Sequence, residues 1–172
     1  MACNSISALP LNCQDGIISG LEKVYMVAYK DIASYSASTS NIINSITMAS
    51  GKTFVEIGIN PETSGINETL TKDVKLGVAF WSQEFKLILQ GLSASNKEFV
   101  KNVMMQPVAV IVKTIMGDYI GVGFNGQCIL TAGASGTGIE RSSLQGFDLT
   151  FTSASLIPSQ NVESATALSV IA

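Results

Sequence analysis

The sequence predicts a mainly β protein: a β-sandwich or partly open barrel of about seven or eight strands with one short flanking α-helix. Three observations predict it. Residues 145–159, QGFDLTFTSASLIPS, alternate Phe147, Leu149 and Phe151 with Asp148, Thr150 and Thr152, the period-two signature of a strand with one face buried. Short runs rich in β-branched and aromatic residues recur along the chain, separated by Gly, Asn and Pro turn signals. A single segment, just before Pro107, carries a clear helix start and stop.

Taken in order, Lys23-Val24-Tyr25-Met26-Val27-Ala28-Tyr29 predicts a strand at about 22–31. The following SYSASTSNIINSI is hydroxyl-rich and predicts a loop. Residues 53–60, TFVEIGIN, alternate as a strand, turn through Asn60, Pro61, Glu62, Thr63, Ser64 and Gly65, and return from Ile66 as INETLTK, which predicts a hairpin with a projecting tip. Residues 74–80 and 85–92 read as a second strand region bent near Trp81, with a short helix from Ser82 as the competing reading. In residues 95–105, Ser95 stands as a cap with Glu98 three residues on, Phe99, Val103 and Met104 share a face, and Pro107 stops the helix. Residues 108–115 and 119–124 pair about a turn at Met116-Gly117-Asp118, Asn125-Gly126 turns again, and 127–132 add a strand. The glycine-rich AGASGTGIERSS predicts a mobile connection to the strand at 147–152. Beyond Pro158 there is no clear signal, although LSVIA offers an edge strand. The implied division is an N-terminal extension (1–15), a β-rich domain (16–158) and a C-terminal tail (159–172).

Charged residues make up 13% of the chain, against about 25% in an average soluble domain. Contacts between subunits are depleted in Lys, Glu and Asp, so a low charge density favours an oligomer; a small neutral extracellular β-protein is the alternative. The net charge is −3 and the basic residues are scattered, which argues against a groove that grips phosphates. There is no His, and Cys3, Cys13 and Cys128 lack metal-ligand spacing. A Cys3–Cys13 bridge across the Leu9-Pro10 turn is one reading of those thiols, and buried or reduced groups the other. The N-terminus shows no secretory signal and no run approaches the ~20 apolar residues of a membrane helix, so the expected site of synthesis is the cytoplasm, with no membrane partner.

Each chemical motif meets a physical objection. Gly121-x-Gly123-x-x-Gly126 matches a dinucleotide fingerprint in letters, but it lies in a hairpin and opens no helix. Gly51-Lys52-Thr53 resembles the end of a phosphate loop, yet Ile46 stands where its leading glycine belongs. Asp148, Glu140 and Glu163 share no periodicity that would pair them for acid–base work. Cys128 has no His to activate it, and Asn67-Glu68-Thr69 is a sequon without a signal peptide. No catalytic residue, cofactor or metal is expected.

The order of elements resembles that of a known family. An early GIISGLEKVYMVAYKD after a Cys-containing leader, a hairpin, a helix ending at Pro107 and a closing LTFTSASLIP are similar to the tail-tube and tail-ring proteins of phages of gut Bacteroidota, crAss-like phages among them. The resemblance runs from Gly16 to Pro158. It implies a tail-tube-like sandwich or barrel whose copies close into a ring, with rings stacking into a conduit for DNA in the virion tail and no catalysis. It further implies that the partners are copies of the same chain, neighbouring tail or portal-proximal virion proteins, and DNA passing without sequence preference. Residues 53–72, with Asn60, Pro61, Glu62, Thr63, Ser64, Gly65 and Ile66 at the tip, become an inter-subunit arm. Phe147, Asp148, Leu149, Thr150, Phe151 and Thr152 become part of a sheet continued around the ring. Tube, single ring and connector all remain open, and a capsid-decorating or glycan-binding sandwich is the competing function.

Overall fold

A computed structural model describes residues 19–60, 62–138 and 143–171. The fold is mainly β, built of two sheets that stay open, with two helices. The N-terminal extension, Cys3, Cys13, Pro61 and Glu140 lie outside the described residues.

Among the described residues eleven strands run in chain order as β1 (Leu21–Ala28), β2 (Ile32–Ala37), β3 (Ile42–Met48), β4 (Val55–Ile57), β5 (Gly65–Asp73), β6 (Val78–Gln90), β7 (Val108–Thr114), β8 (Tyr119–Val122), β9 (Ile129–Gly136), β10 (Gly146–Ser155) and β11 (Gln160–Val162). Helix α1 (Ala94–Met104) stands between β6 and β7, and α2 (Ser164–Val170) follows β11. A seven-stranded sheet has the order β2-β3-β11-β8-β7-β1-β4, and a four-stranded sheet the order β5-β6-β10-β9.

Alternation decides which face each strand buries. On β7, Val108, Val110 and Val112 point between the sheets, where they meet Phe85, Leu87, Phe147, Leu149 and Phe151. Ala109 and Ile111 point the other way, into a second core with Tyr25, Ile43, Phe54, Phe124, Val162 and Ala167. The central strands of the large sheet are therefore covered on both faces, which is why VAVIVKT reads as a continuous apolar run.

Several expectations need correction. The polar segment after Tyr29 is a hairpin of β2 and β3, whose Ile43 and Ile46 are buried in the second core. Residues 53–72 do not form a hairpin: β4 pairs with β1 in the large sheet and β5 with β6 in the small one, so the turn at 58–64 crosses between sheets. Pairing with a central apolar strand buries more than pairing with the polar β5 would. In place of the bend at Trp81 and the helix from Ser82 there is one unbroken, 13-residue strand, β6. The tail beyond Pro158 is integral. β11 inserts between β3 and β8, and α2 buries Ala167 and Val170 against the second core. The single predicted helix is thus two.

The cap of α1 is Ser93 and not Ser95. The Ser93 Oγ accepts from the Asn96 N–H at 3.2 Å, while the Asn96 amide donates to the carbonyls of Gln90 and Gly91 at 2.9 Å. Val103 is buried and Phe99 and Val100 lie against the inter-sheet core, so α1 closes one side of the sandwich. Pro107 does end it, and its carbonyl accepts from the Tyr29 N–H at 2.9 Å.

The glycine motif is explained by packing. Gly123 has φ +82, and a side chain at Gly126 would collide with the Ala154 carbonyl, so both glycines serve the turn that leads into β9.

Candidate functional site

Strand β10 carries out the predicted alternation. Phe147, Leu149 and Phe151 are buried, whereas Asp148, Thr150 and Thr152 are half-exposed on the outer face of the small sheet. Both hydrogen-bonding edges of β10 are occupied, by β6 through Phe151↔Phe85 and by β9 through Phe147↔Ser135. The segment from Phe147 to Thr152 can therefore offer a neighbour a face but no edge.

The free edges belong to its flanking partners. Among the described residues β5 and β9 are the outermost strands of the small sheet. β9, ILTAGASG, is exposed along nearly its whole length and has no charge and no proline, the usual devices that keep an edge from pairing. β5 carries Glu68, Lys72 and Asp73. With four strands alternating in direction, the two edges run antiparallel to each other, so a second copy can add to either edge and continue the same sheet.

The outer face of this sheet is non-basic and largely polar, with Ile88 near one end and Phe80 and Val78 near the other. Register places Asn67, Thr69, Glu84, Lys86, Asp148, Thr150 and Thr152 on it, and Asp73 at its margin. Its cation, Lys86, bonds Asp148 at 3.0 Å.

The proposed arm is dispersed by the crossing. Asn60 accepts from the Thr63 hydroxyl at 2.6 Å, Glu62 sits at φ +65, and the Ser64 Oγ accepts from the Ile88 N–H at 3.2 Å. Gly65 pairs with Lys86, and Ile66 pairs with Phe85 and packs on the core. Ser64, Gly65 and Ile66 are thus tied to the small sheet, while Asn60 and Glu62 are exposed in the connection between the sheets.

What projects is the β5–β6 hairpin. β10 reaches only to Ser155↔Trp81, while β5 and β6 pair on to Asp73↔Val78, three residues or roughly 10 Å further. At the tip the Asp73 carboxylate accepts from the Lys75 and Leu76 N–H groups at 2.8 and 3.2 Å, and Gly77 has φ +66. Val74 and Leu76 are 81% and 75% exposed, and Leu156, which leaves the same end of the sheet, is 84% exposed. This apolar end was missed in the sequence, although the Asp73…Gly77 spacing is a turn signal and Val74 and Leu76 lie within it.

No chemistry gathers elsewhere. Among the described residues no group of three or more His, Cys, Asp or Glu side chains converges, and no helix is long and apolar enough to cross a membrane. Burial pushes the Cys128 thiol up to about 12, far from a nucleophile's range. Lys113 and Lys23 are raised by hydrogen bonds to Glu22 and Glu56, and burial raises Tyr35, whose hydroxyl donates to Asn125 Oδ1 at 2.7 Å. Those are surface pairs and a structural contact. Gly51 and Lys52 belong to a turn closed by the Lys52 N–H on the Ala49 carbonyl at 3.0 Å, with Thr53 just after it.

No protein-family model matches the chain, and neither a curated protein nor a solved structure matches it.

Proposed function

We propose that this chain is a structural subunit that closes with copies of itself into a ring, and that the ring forms part of a phage tail conduit through which DNA passes. The observation that carries the reading is the small sheet, open at both edges, with β9 bare of charge and proline. Head-to-tail joining of β9 to the next copy's β5 satisfies both edges in every copy once the ring closes, which removes the aggregation risk that an open neutral edge otherwise brings. A largely polar outer face whose lysine is already paired supports a wall that DNA slides past, since few free cations means few phosphate contacts. The apolar end at Val74, Leu76 and Leu156 supplies a surface for the next ring or a neighbouring tail protein. Virion localisation follows from this reading together with the resemblance described above.

The glycan-binding alternative needs an exposed aromatic platform. Every aromatic residue in the chain is at least half-buried, Trp81 and Phe80 included, which weighs against it.

The experiment is to place lysines on the neutral edge, as Ala132→Lys with Ala134→Lys. Both sites are exposed, so the fold is retained. The outcome expected is loss of assembled species in light scattering with an unchanged circular dichroism spectrum. Assembly unaffected by both lysines would remove β9 from the interface and with it the ring geometry proposed.

A further inference from the structure

Between α1 and the free edge of β9 runs a groove of about 310 Å³ lined by Val100, Met104, Leu130, Gly133, Phe147 and Leu149. It exists because the inner positions of β9 after Leu130 are small. Gly133 pairs with Leu149 and Ser135 with Phe147, so nothing on the edge strand covers the flanks of those two core residues. Met104, on the helix wall of the groove, is 61% exposed.

We infer that this groove is the socket for the β5 edge of a second copy, with Leu70 of the incoming strand as its apolar plug. The inference rests on the ring reading and names the surfaces that meet. A strand that adds to β9 directs alternate side chains to the inner side of the sheet, toward α1. On β5 those inner residues are Ile66, Glu68, Leu70 and Lys72, since Ile66 pairs with buried Phe85 and Leu70 with Trp81. Ile66 is committed to its own core, and Glu68 accepts from the Ser159 N–H at 2.8 Å. Leu70 is the apolar residue left over, 49% exposed on a strand edge that pairs with no other strand among the described residues.

Charge favours a second copy over an unrelated apolar segment. The β5 strand and its flanking turns carry Glu62, Glu68 and Asp73 against Lys72 and Lys75, one negative charge in excess, whereas the helix beside the groove carries Lys97 and Lys101, one turn apart, against Glu98, one positive charge in excess. Among the described residues neither of those lysines enters an ion pair, so the acidic β5 side meets an uncommitted basic rim.

Leu70 and Met104 lie at opposite edges of the small sheet, with two strands between them, so a bond between them must join two chains. The test is Leu70→Cys with Met104→Cys in a Cys3→Ser, Cys13→Ser background, oxidised and run on a non-reducing gel; Cys128 is buried and stays silent. The expected result is a ladder of covalent oligomers ending at one closed size. Either single variant alone should give no ladder, and a mixture of the two singles should give covalent pairs. Assembly seen by light scattering without a ladder would overturn the socket and leave the ring reading standing. Cross-linking of Leu70→Cys with itself would do the same by pointing to β5–β5 contact. A chain that stays monomeric at every concentration would overturn both. As a second readout, Met104→Glu should weaken association at least tenfold, and an unchanged association would count against the groove.

Discussion

Phe151 and Thr150 are neighbours in sequence on opposite faces of β10, and substituting each with alanine tests the face assignment on which the outer wall depends. Phe151 is fully buried, and its ring stands 5.9 Å from that of Phe85 at 33°. Removing a buried phenylalanine costs about 3–5 kcal/mol in lost transfer energy and residual cavity, and an aromatic pair adds roughly 0.5–1.5 kcal/mol beyond burial. A loss of about 4 kcal/mol is therefore expected for Phe151→Ala. Thr150 lies on the half-exposed face and contributes its carbonyl to the Thr131 hydroxyl at 3.2 Å, a contact that alanine keeps. Its replacement should stay within about 0.5 kcal/mol. In urea, with a slope of about 2 kcal/mol per molar, the midpoints should fall by about 2 M and by less than about 0.3 M respectively, at unchanged slope. The double variant Phe85→Ala/Phe151→Ala should cost less than the sum of the singles, because the two rings share one cavity. Equal losses for Phe151→Ala and Thr150→Ala, or a loss below about 1 kcal/mol for the phenylalanine, would refute the assignment.

Three further outcomes follow from particular contacts. Ser93→Ala should destabilise α1 by about 1 kcal/mol in chemical denaturation, whereas Ser95→Ala should be near neutral, since it is Ser93 that receives the Asn96 N–H. Ser153 Oγ is buried without a hydrogen-bond partner, so Ser153→Ala should leave the urea midpoint unchanged or raise it. For Cys128, the folded thiol titrates near 12 against an ordinary value of 9.0, so the native state holds its proton longer than the unfolded chain. Stability from this group is complete below pH 9 and is lost as pH rises toward 12, at up to about 1.4 kcal/mol per pH unit. Comparing wild type with Cys128→Ala by denaturation at pH 8 and pH 10.5 should show the steeper fall in the wild type, and parallel curves would contradict the buried-thiol account.

What was legible in the sequence was local, and what was not was pairing. The alternation at Phe147, Leu149 and Phe151 and the apolar run Val108–Thr114 each reported their own burial, and Pro107 ended a helix by its missing N–H. The partner of a strand is settled by distant surfaces. Residues 53–60 looked like half of a hairpin because a turn follows them, yet Val55 and Ile57 pair with β1, about thirty residues earlier. The hydroxyl-rich β2–β3 hairpin stayed hidden because only Ile43 and Ile46 of it are fully buried in the second core, with Ile32, Tyr35 and Met48 partly buried beside them. The last segment gave no signal because three residues of β11 and seven of α2 are too short for periodicity to register. For the proposed assembly surface, polar alternation marked the half-exposed face of β10 but assigned contact to that strand, whose edges are occupied. The neutral run from Ala132 to Ser135, an edge without guards, was the available signal.

The central claim is self-closure through the small sheet. The measurement that tests it most directly is the solution mass of the purified full-length chain across a concentration series, by light scattering behind size exclusion, with negative-stain images of the heaviest peak. The account predicts a single assembled mass that grows at the expense of monomer and annular particles of one symmetry. A monomer at every concentration, or open fibres of unlimited length, would contradict it.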